Sequence, residues 1–155
     1  EKANRKNRVY KYVLRAIKNN EKLEFSKLIW NKSDESGNEK IDTQHKKLIE
    51  GANQLIDAIN MKIGKESYFN LVKELLKEIE NHFKDEEAIL ENTKFPYVEN
   101  HKLSHNYLLE KAKEIVERIE KNEMSSNEII SYLTYDVVAQ HMEIEDKLYF
   151  PYLVD

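Results

Sequence analysis

The chain has 155 residues, 35% of them charged, with a formal net charge of −4, three glycines, two prolines and no cysteine. That length can bury one hydrophobic core unaided, and the lack of cysteine excludes a disulfide framework, a zinc–thiolate finger, an iron–sulfur cluster and a thiol nucleophile. So few chain breakers argue against an all-β fold, and no apolar run approaches the ~20 residues of a membrane helix, so the expectation is a cytoplasmic, all-α protein.

Charge is unevenly placed. Residues 1–22 hold eight Lys or Arg against two Glu, about +6, which leaves the remainder at about −10. Among those bases Val9, Tyr12, Val13, Ala16 and Ile17 recur at helical spacing. This predicts a basic amphipathic helix or linker over 1–24 ahead of a main domain at 25–155. One short basic helix with no base-reading context does not argue for a nucleic-acid partner. Because the first residue is Glu1 rather than Met, the chain is expected to be a piece of something longer.

Residues 31–40 form a polar loop, and Asp42 stands where the N-cap of the first core helix is expected. On that helix His45, Leu48, Ala52, Leu55 and Ile59 are spaced 3, 4, 3, 4, the seam of a shallow-angle bundle. Gly64 and Lys65-Glu66-Ser67 should break it. A second helix places Tyr68, Val72, Leu75, Ile79, His82, Glu86 and Ile89 on one stripe, and Asn92 to Pro96 ends it because Pro96 cannot donate to a helical ladder. The third aligns His101, His105, Leu108, Ala112, Ile115 and Ile119. Ser125-x-x-Glu128 reads as a capping box opening the fourth, on which Ile130, Val137, His141, Ile144 and Leu148 should face inward until Pro151. Four such helices with short loops define an up-down-up-down four-helix bundle.

All five histidines thus fall on inward faces of four different helices. A single histidine on an apolar seam is usually a hydrogen-bonded core residue. Five together are different: an unpaired buried polar group costs ~1–3 kcal/mol and a buried carboxylate more, so the set calls for a cation inside. Neutral imidazoles with a few carboxylates suit a pair of first-row transition metal ions. Glu86, one turn after His82, can reach the metal that His82 holds, while Glu87 is rotated toward solvent. On the last helix an ideal α-geometry favours Glu145, at i+4 from His141. A π-bulge or a frayed final turn would bring Asp146 round instead.

The motifs Asp42-x-x-His45, His82-Phe83-x-x-Glu86-Glu87, His101-x-x-x-His105 and His141-x-x-x-x-Asp146 resemble those of the hemerythrin family, of the bacterial hemerythrin-like kind. Trp30 and Phe95-Pro96-Tyr97 look like family features too, and the likeness spans residues 28 to 153 or so. The resemblance implies that the second shared carboxylate is Asp146. It implies two iron ions with an oxo or hydroxo bridge, one held by His101, His105 and His141, the other by His45 and His82, with Glu86 and Asp146 bridging. The first iron would then be saturated and the second would keep one open position for dioxygen. The activity implied is reversible, non-enzymatic dioxygen binding for carriage, storage or sensing. An upstream signalling domain or an oxygen-using protein is the partner expected.

Leu48, Phe83, Val137 and Val138, beside the ligand positions, are expected to line a dry pocket for the gas. Gln44, Asp85 and Glu87 are candidates to fix the imidazole tautomers. Five neutral imidazoles argue against oxygenase chemistry, for which carboxylate-rich sites are better suited. The alternatives are a di-iron peroxidase or nitric-oxide-handling enzyme and an iron-storage protein, and the same donors also accept zinc or manganese.

Overall fold

A computed structural model describes residues 26–153. The basic segment predicted over 1–24 lies outside the described residues. Among these the chain is helical, without strands: α1 (Glu39–Asn60), α2 (Lys65–Leu90), α3 (Val98–Glu120) and α4 (Ser126–Ser131), which runs directly into a π-helical stretch at Tyr132–Glu145. Short 3-10 turns at Asp146–Leu148 and Phe150–Tyr152 close the bundle. Each helix packs on the next and the last returns to the first, the four-helix arrangement expected. No helix among the described residues is long and apolar enough to cross a membrane.

The seams of the first three helices bury as their spacing predicts. Leu48, Ala52 and Leu55 of α1 meet Val72, Leu75 and Ile79 of α2 and Leu108, Ala112, Ile115 and Ile119 of α3 in one apolar core. Its lower half is hydrocarbon, and the histidines occupy the other end. Ser125 and Glu128 form the predicted capping box, each satisfying the other's backbone N–H.

Three local expectations are corrected. The N-cap of α1 is Asn38, not Asp42: its side chain accepts from the Ile41 N–H, and the turn before it is made by Gly37 at φ +88°. Asp42 sits in the first helical turn, where its carboxylate accepts from the Ser36 N–H and ties down the incoming loop. Lys65 to Ser67 do not break a helix but form the first turn of α2, after Gly64.

The third correction concerns α4. Ile144 and Leu148 were expected inward, yet they are 41% and 61% exposed. The inward residues are Leu133, Val137, His141, Met142, Asp146 and Tyr149. In a π-helix each backbone N–H reaches five residues back, so the inward stripe recurs at wider intervals than in an α-helix. A stripe drawn at α-helical spacing from His141 therefore drifts to the outer face. We expect Leu148→Ser to change unfolding free energy by no more than ~0.5 kcal/mol, and Leu133→Ala to cost ~2–5 kcal/mol. Chemical denaturation distinguishes this register from the α-helical one, which reverses the burial of Leu148.

Candidate metal centre

Four helices deliver seven polar side chains to one point. His45 comes from α1, His82 and Glu86 from α2, His101 and His105 from α3, His141 and Asp146 from the π-helical segment and its end, and all seven are buried. They form two overlapping groups whose ligand atoms lie within 4.8 Å of one another. One is Glu86, His101, His105, His141 and Asp146; the other is His45, His82, Glu86 and Asp146. The two carboxylates belong to both. The π-helix places Asp146, and not Glu145, in both groups: the Asp146 N–H donates to the His141 carbonyl, an i to i+5 bond that puts both side chains on the inner face.

Each imidazole turns Nε2 inward. His45 and His82 bring these atoms within 3.0 Å, and His105 and His141 within 2.9 Å. The outward Nδ1 atoms of three rings meet acceptors: His82 on Gln44 Oε1 at 2.9 Å, His105 on Glu87 Oε1 at 2.7 Å and His141 on Glu145 Oε2 at 3.1 Å. A carboxylate or an amide oxygen can only accept, so each of these three rings carries a proton on Nδ1, and in its neutral form the Nε2 lone pair points in. Two ring nitrogens at such distances need a positive centre between them, either a proton on one ring of the pair or a cation.

Both oxygens of Asp146 are buried and make no hydrogen bond, although Nε2 atoms of His45, His101 and His141 lie 3.0–3.2 Å away. A fully buried carboxylate with neither hydrogen bond nor lysine partner is costly. The donor set, the inward lone pairs and this orphaned carboxylate all fit a pair of divalent cations. Glu86 is better provided: its Oε2 accepts from His101 at 3.0 Å, and its Oε1 accepts from the hydroxyl of fully buried Tyr149.

In the polypeptide alone, protons balance this charge. Burial pushes both carboxylates up, and for Glu86 the Asp146 charge does so too, yet the surrounding imidazoles hold both well below the usual carboxylate range. Burial disfavours the charged form of His141 and His101, but the carboxylates beside them prevail and raise these rings to about 10 and about 9. His82 is lowered to about 4, chiefly by burial, with His45 and His105 adding to it.

Apolar side chains adjoin the site. Leu48, Phe83 and Val137 are buried and Val138 partly so, all in the same core. Phe83 stacks on the His105 ring at 3.8 Å and 5°, and meets His141 edge-on at 5.3 Å. Of the candidate tautomer-fixing residues, Gln44 and Glu87 reach a ring directly. Glu87 is therefore half-buried and engaged, not turned to solvent. Asp85 stands one step back, accepting from Gln44 Nε2 at 2.6 Å. Trp30 packs against the core, and the Phe95 ring lies edge-on to His101 and Tyr149.

Sequence reasoning missed Tyr149, and it missed Glu145 as the partner of His141. The signal for Tyr149 was a tyrosine three residues after Asp146, since a buried phenol needs a partner for its hydroxyl.

A four-helix bundle with two overlapping histidine groups joined by a pair of buried carboxylates belongs to the class of helical bundles that carry a metal-binding site in their core. The Hemerythrin HHE cation binding domain family matches residues 36–154, and the chain belongs to the hemerythrin family. It is 32% identical to the bacteriohemerythrin of Aquifex aeolicus over 108 residues, 70% of this chain and 81% of that one. To the bacteriohemerythrin of Campylobacter jejuni it is 28% identical over 109 residues, 70% and 82% of the two chains. A crystal structure of wild-type hemerythrin shares the fold, with a TM-score of 0.73 over 84% of this chain and 100% of that one at 22% identity.

The pKa pattern sets the sign of a pH effect. Protons on His101 and His141 stabilise the metal-free fold below the ordinary histidine value of 6.5, and that contribution is lost as pH rises through about 9 and about 10. Glu86 and Asp146 contribute stability above the ordinary carboxylate range, which is lost on acidification. With a chelator present, the thermal midpoint should therefore fall between pH 6.5 and 10, and two equivalents of zinc should flatten that slope. A midpoint constant over this interval in the chelated protein would contradict the charge balance.

Proposed function

We propose that this chain binds dioxygen reversibly at a pair of iron ions and is not an enzyme. His101, His105 and His141 would hold one ion, His45 and His82 the other, with Glu86 and Asp146 shared. When bound, two ferrous ions supply two electrons that can pass to dioxygen and return. The observation that carries the reading is the inequality of the two donor groups. One offers three imidazoles and the two shared carboxylates, the other only two imidazoles with the same carboxylates. The two-histidine half thus leaves more room for a small ligand.

The surrounding side chains suit a guest that must leave unchanged. Leu48, Phe83, Val137 and Val138 present hydrocarbon and an aromatic face, which exclude water and solvated anions that would promote irreversible oxidation. Tyr149 keeps its proton, because burial and the two carboxylates raise its hydroxyl above its ordinary range, and it directs that proton at Glu86. The site thereby holds the shared carboxylate in place without offering a free acid or base. Imidazole-rich ligation also favours the lower iron oxidation states over those an oxygenase needs.

Iron content with visible spectra through deoxygenated, oxygenated and again deoxygenated states tests this reading. Two irons per chain and a charge-transfer band that appears and vanishes reversibly are expected, whereas a band that bleaches permanently would favour a peroxidase or oxidase. Asp146→Asn should lower iron loading by at least ~10–100-fold in affinity, taking the loss of an outer partner as the floor. Glu145→Gln should leave two irons bound, and the reverse pattern would make Glu145 the ligand.

A further inference from the structure

Three of the imidazoles donate Nδ1–H outward, and the partners that receive them differ in charge. His105 and His141, both in the three-histidine group, give theirs to the carboxylates of Glu87 and Glu145. His82, in the two-histidine group, gives its proton to the neutral amide of Gln44. The nearest charge beyond that amide is Asp85, which is paired with Lys40 at 3.0 Å.

Resting on the di-iron reading above, we propose that Glu87 and Glu145 act through His105 and His141 to make the three-histidine half the first to be oxidised. Gln44, on the other side, keeps the two-histidine half reduced for longer. The physical basis is the charge on the acceptor. An N–H donated to a carboxylate leaves the imidazole more anionic, and so a stronger donor at Nε2, than one donated to an amide. Both rings are buried, so water screens little of this effect at the ring. Of the four carboxylates at or one step from the centre, Glu86 and Asp146 are shared, whereas Glu87 and Glu145 stand on the three-histidine side alone. After loss of one electron the ferric charge resides where the donors are strongest, and the half with fewer donors stays ferrous. Glu87, Glu145 and Gln44 are positioning residues in this scheme, since they touch ligands and not the guest.

The test uses the full chain loaded anaerobically with iron(II) and titrated with hexacyanoferrate(III), a one-electron outer-sphere oxidant. Each oxidant takes one electron from the centre and becomes hexacyanoferrate(II). The odd-electron form at half-oxidation is read by electron paramagnetic resonance, and its yield gives the formation constant of the mixed-valence state.

Glu87→Gln with Glu145→Gln keeps both hydrogen-bond acceptors and removes only their charge. That double variant should lower the formation constant on the order of 10–100-fold, and each single variant should move it the same way by less. Gln44→Glu with Asp85→Asn moves the carboxylate onto His82 and should lower the constant as well, by strengthening donation to the other half. A purely structural role would leave the constants of the Glu87 and Glu145 variants unmoved, because their hydrogen bonds to His105 and His141 are retained. Variants that bind two irons per chain with an unchanged constant overturn this proposal and leave the di-iron reading standing. Fewer than two irons in the unmodified chain would overturn both.

Discussion

Two fully buried carboxylates, Glu86 and Asp146, govern the upper half of this bundle. A carboxylate in an apolar interior is tolerated only beside positive charge or good donors. Here five imidazoles from all four helices converge on the pair, and no lysine or arginine reaches it among the described residues. The convergence makes the bundle's geometry and the site's chemistry one problem. Each helix must arrive at the right rotation, or an inward ring is left facing hydrocarbon.

The hydrocarbon end relieves that constraint by fixing the helices independently. Leu55, Val72, Ile115 and their neighbours pack as an ordinary shallow-angle bundle and set the rotations. Around the site, outward hydrogen bonds hold three of the five rings: Gln44 of α1 to His82 of α2 and Glu87 of α2 to His105 of α3 between helices, and Glu145 to His141 within the last segment. A further clamp joins the segment before α1 to the turn that follows the π-helical stretch, where Lys147 bonds Asp34 at 2.9 Å and Glu143 at 3.0 Å. Asp34 in turn accepts from the Asn31 N–H across a short 3-10 turn at Lys32–Asp34. The contacts around the rings aim nitrogen donors inward without supplying a positive side chain at the centre, the charge that a bound metal would provide.

Much of this was legible in the residues. The 3-and-4 spacing of Leu48, Ala52 and Leu55, or of His101, His105 and Leu108, reports an α-helical stripe because α-periodicity is a local property of the backbone. The histidines and Glu86 lay on those stripes, so their inward direction followed. The Ser125-x-x-Glu128 box could be read for the same reason, since a cap is made by neighbours in sequence.

The tertiary structure decided what depended on a changed period or on distant partners. Across Tyr132–Glu145 the ladder widens to five residues, so Asp146 turns inward while Ile144 and Leu148 turn out, against the spacing that served elsewhere. The resemblance to a known family pointed to Asp146; the residue spacing alone favoured Glu145. Likewise Tyr149 finds Glu86 across 63 positions and Glu87 finds His105 across 18. Sequence alone determined which side chains head for the interior, because that follows from helical repeat and hydrophobicity. Only the folded chain determined which atoms meet there, because such meetings depend on how whole helices are rotated against one another.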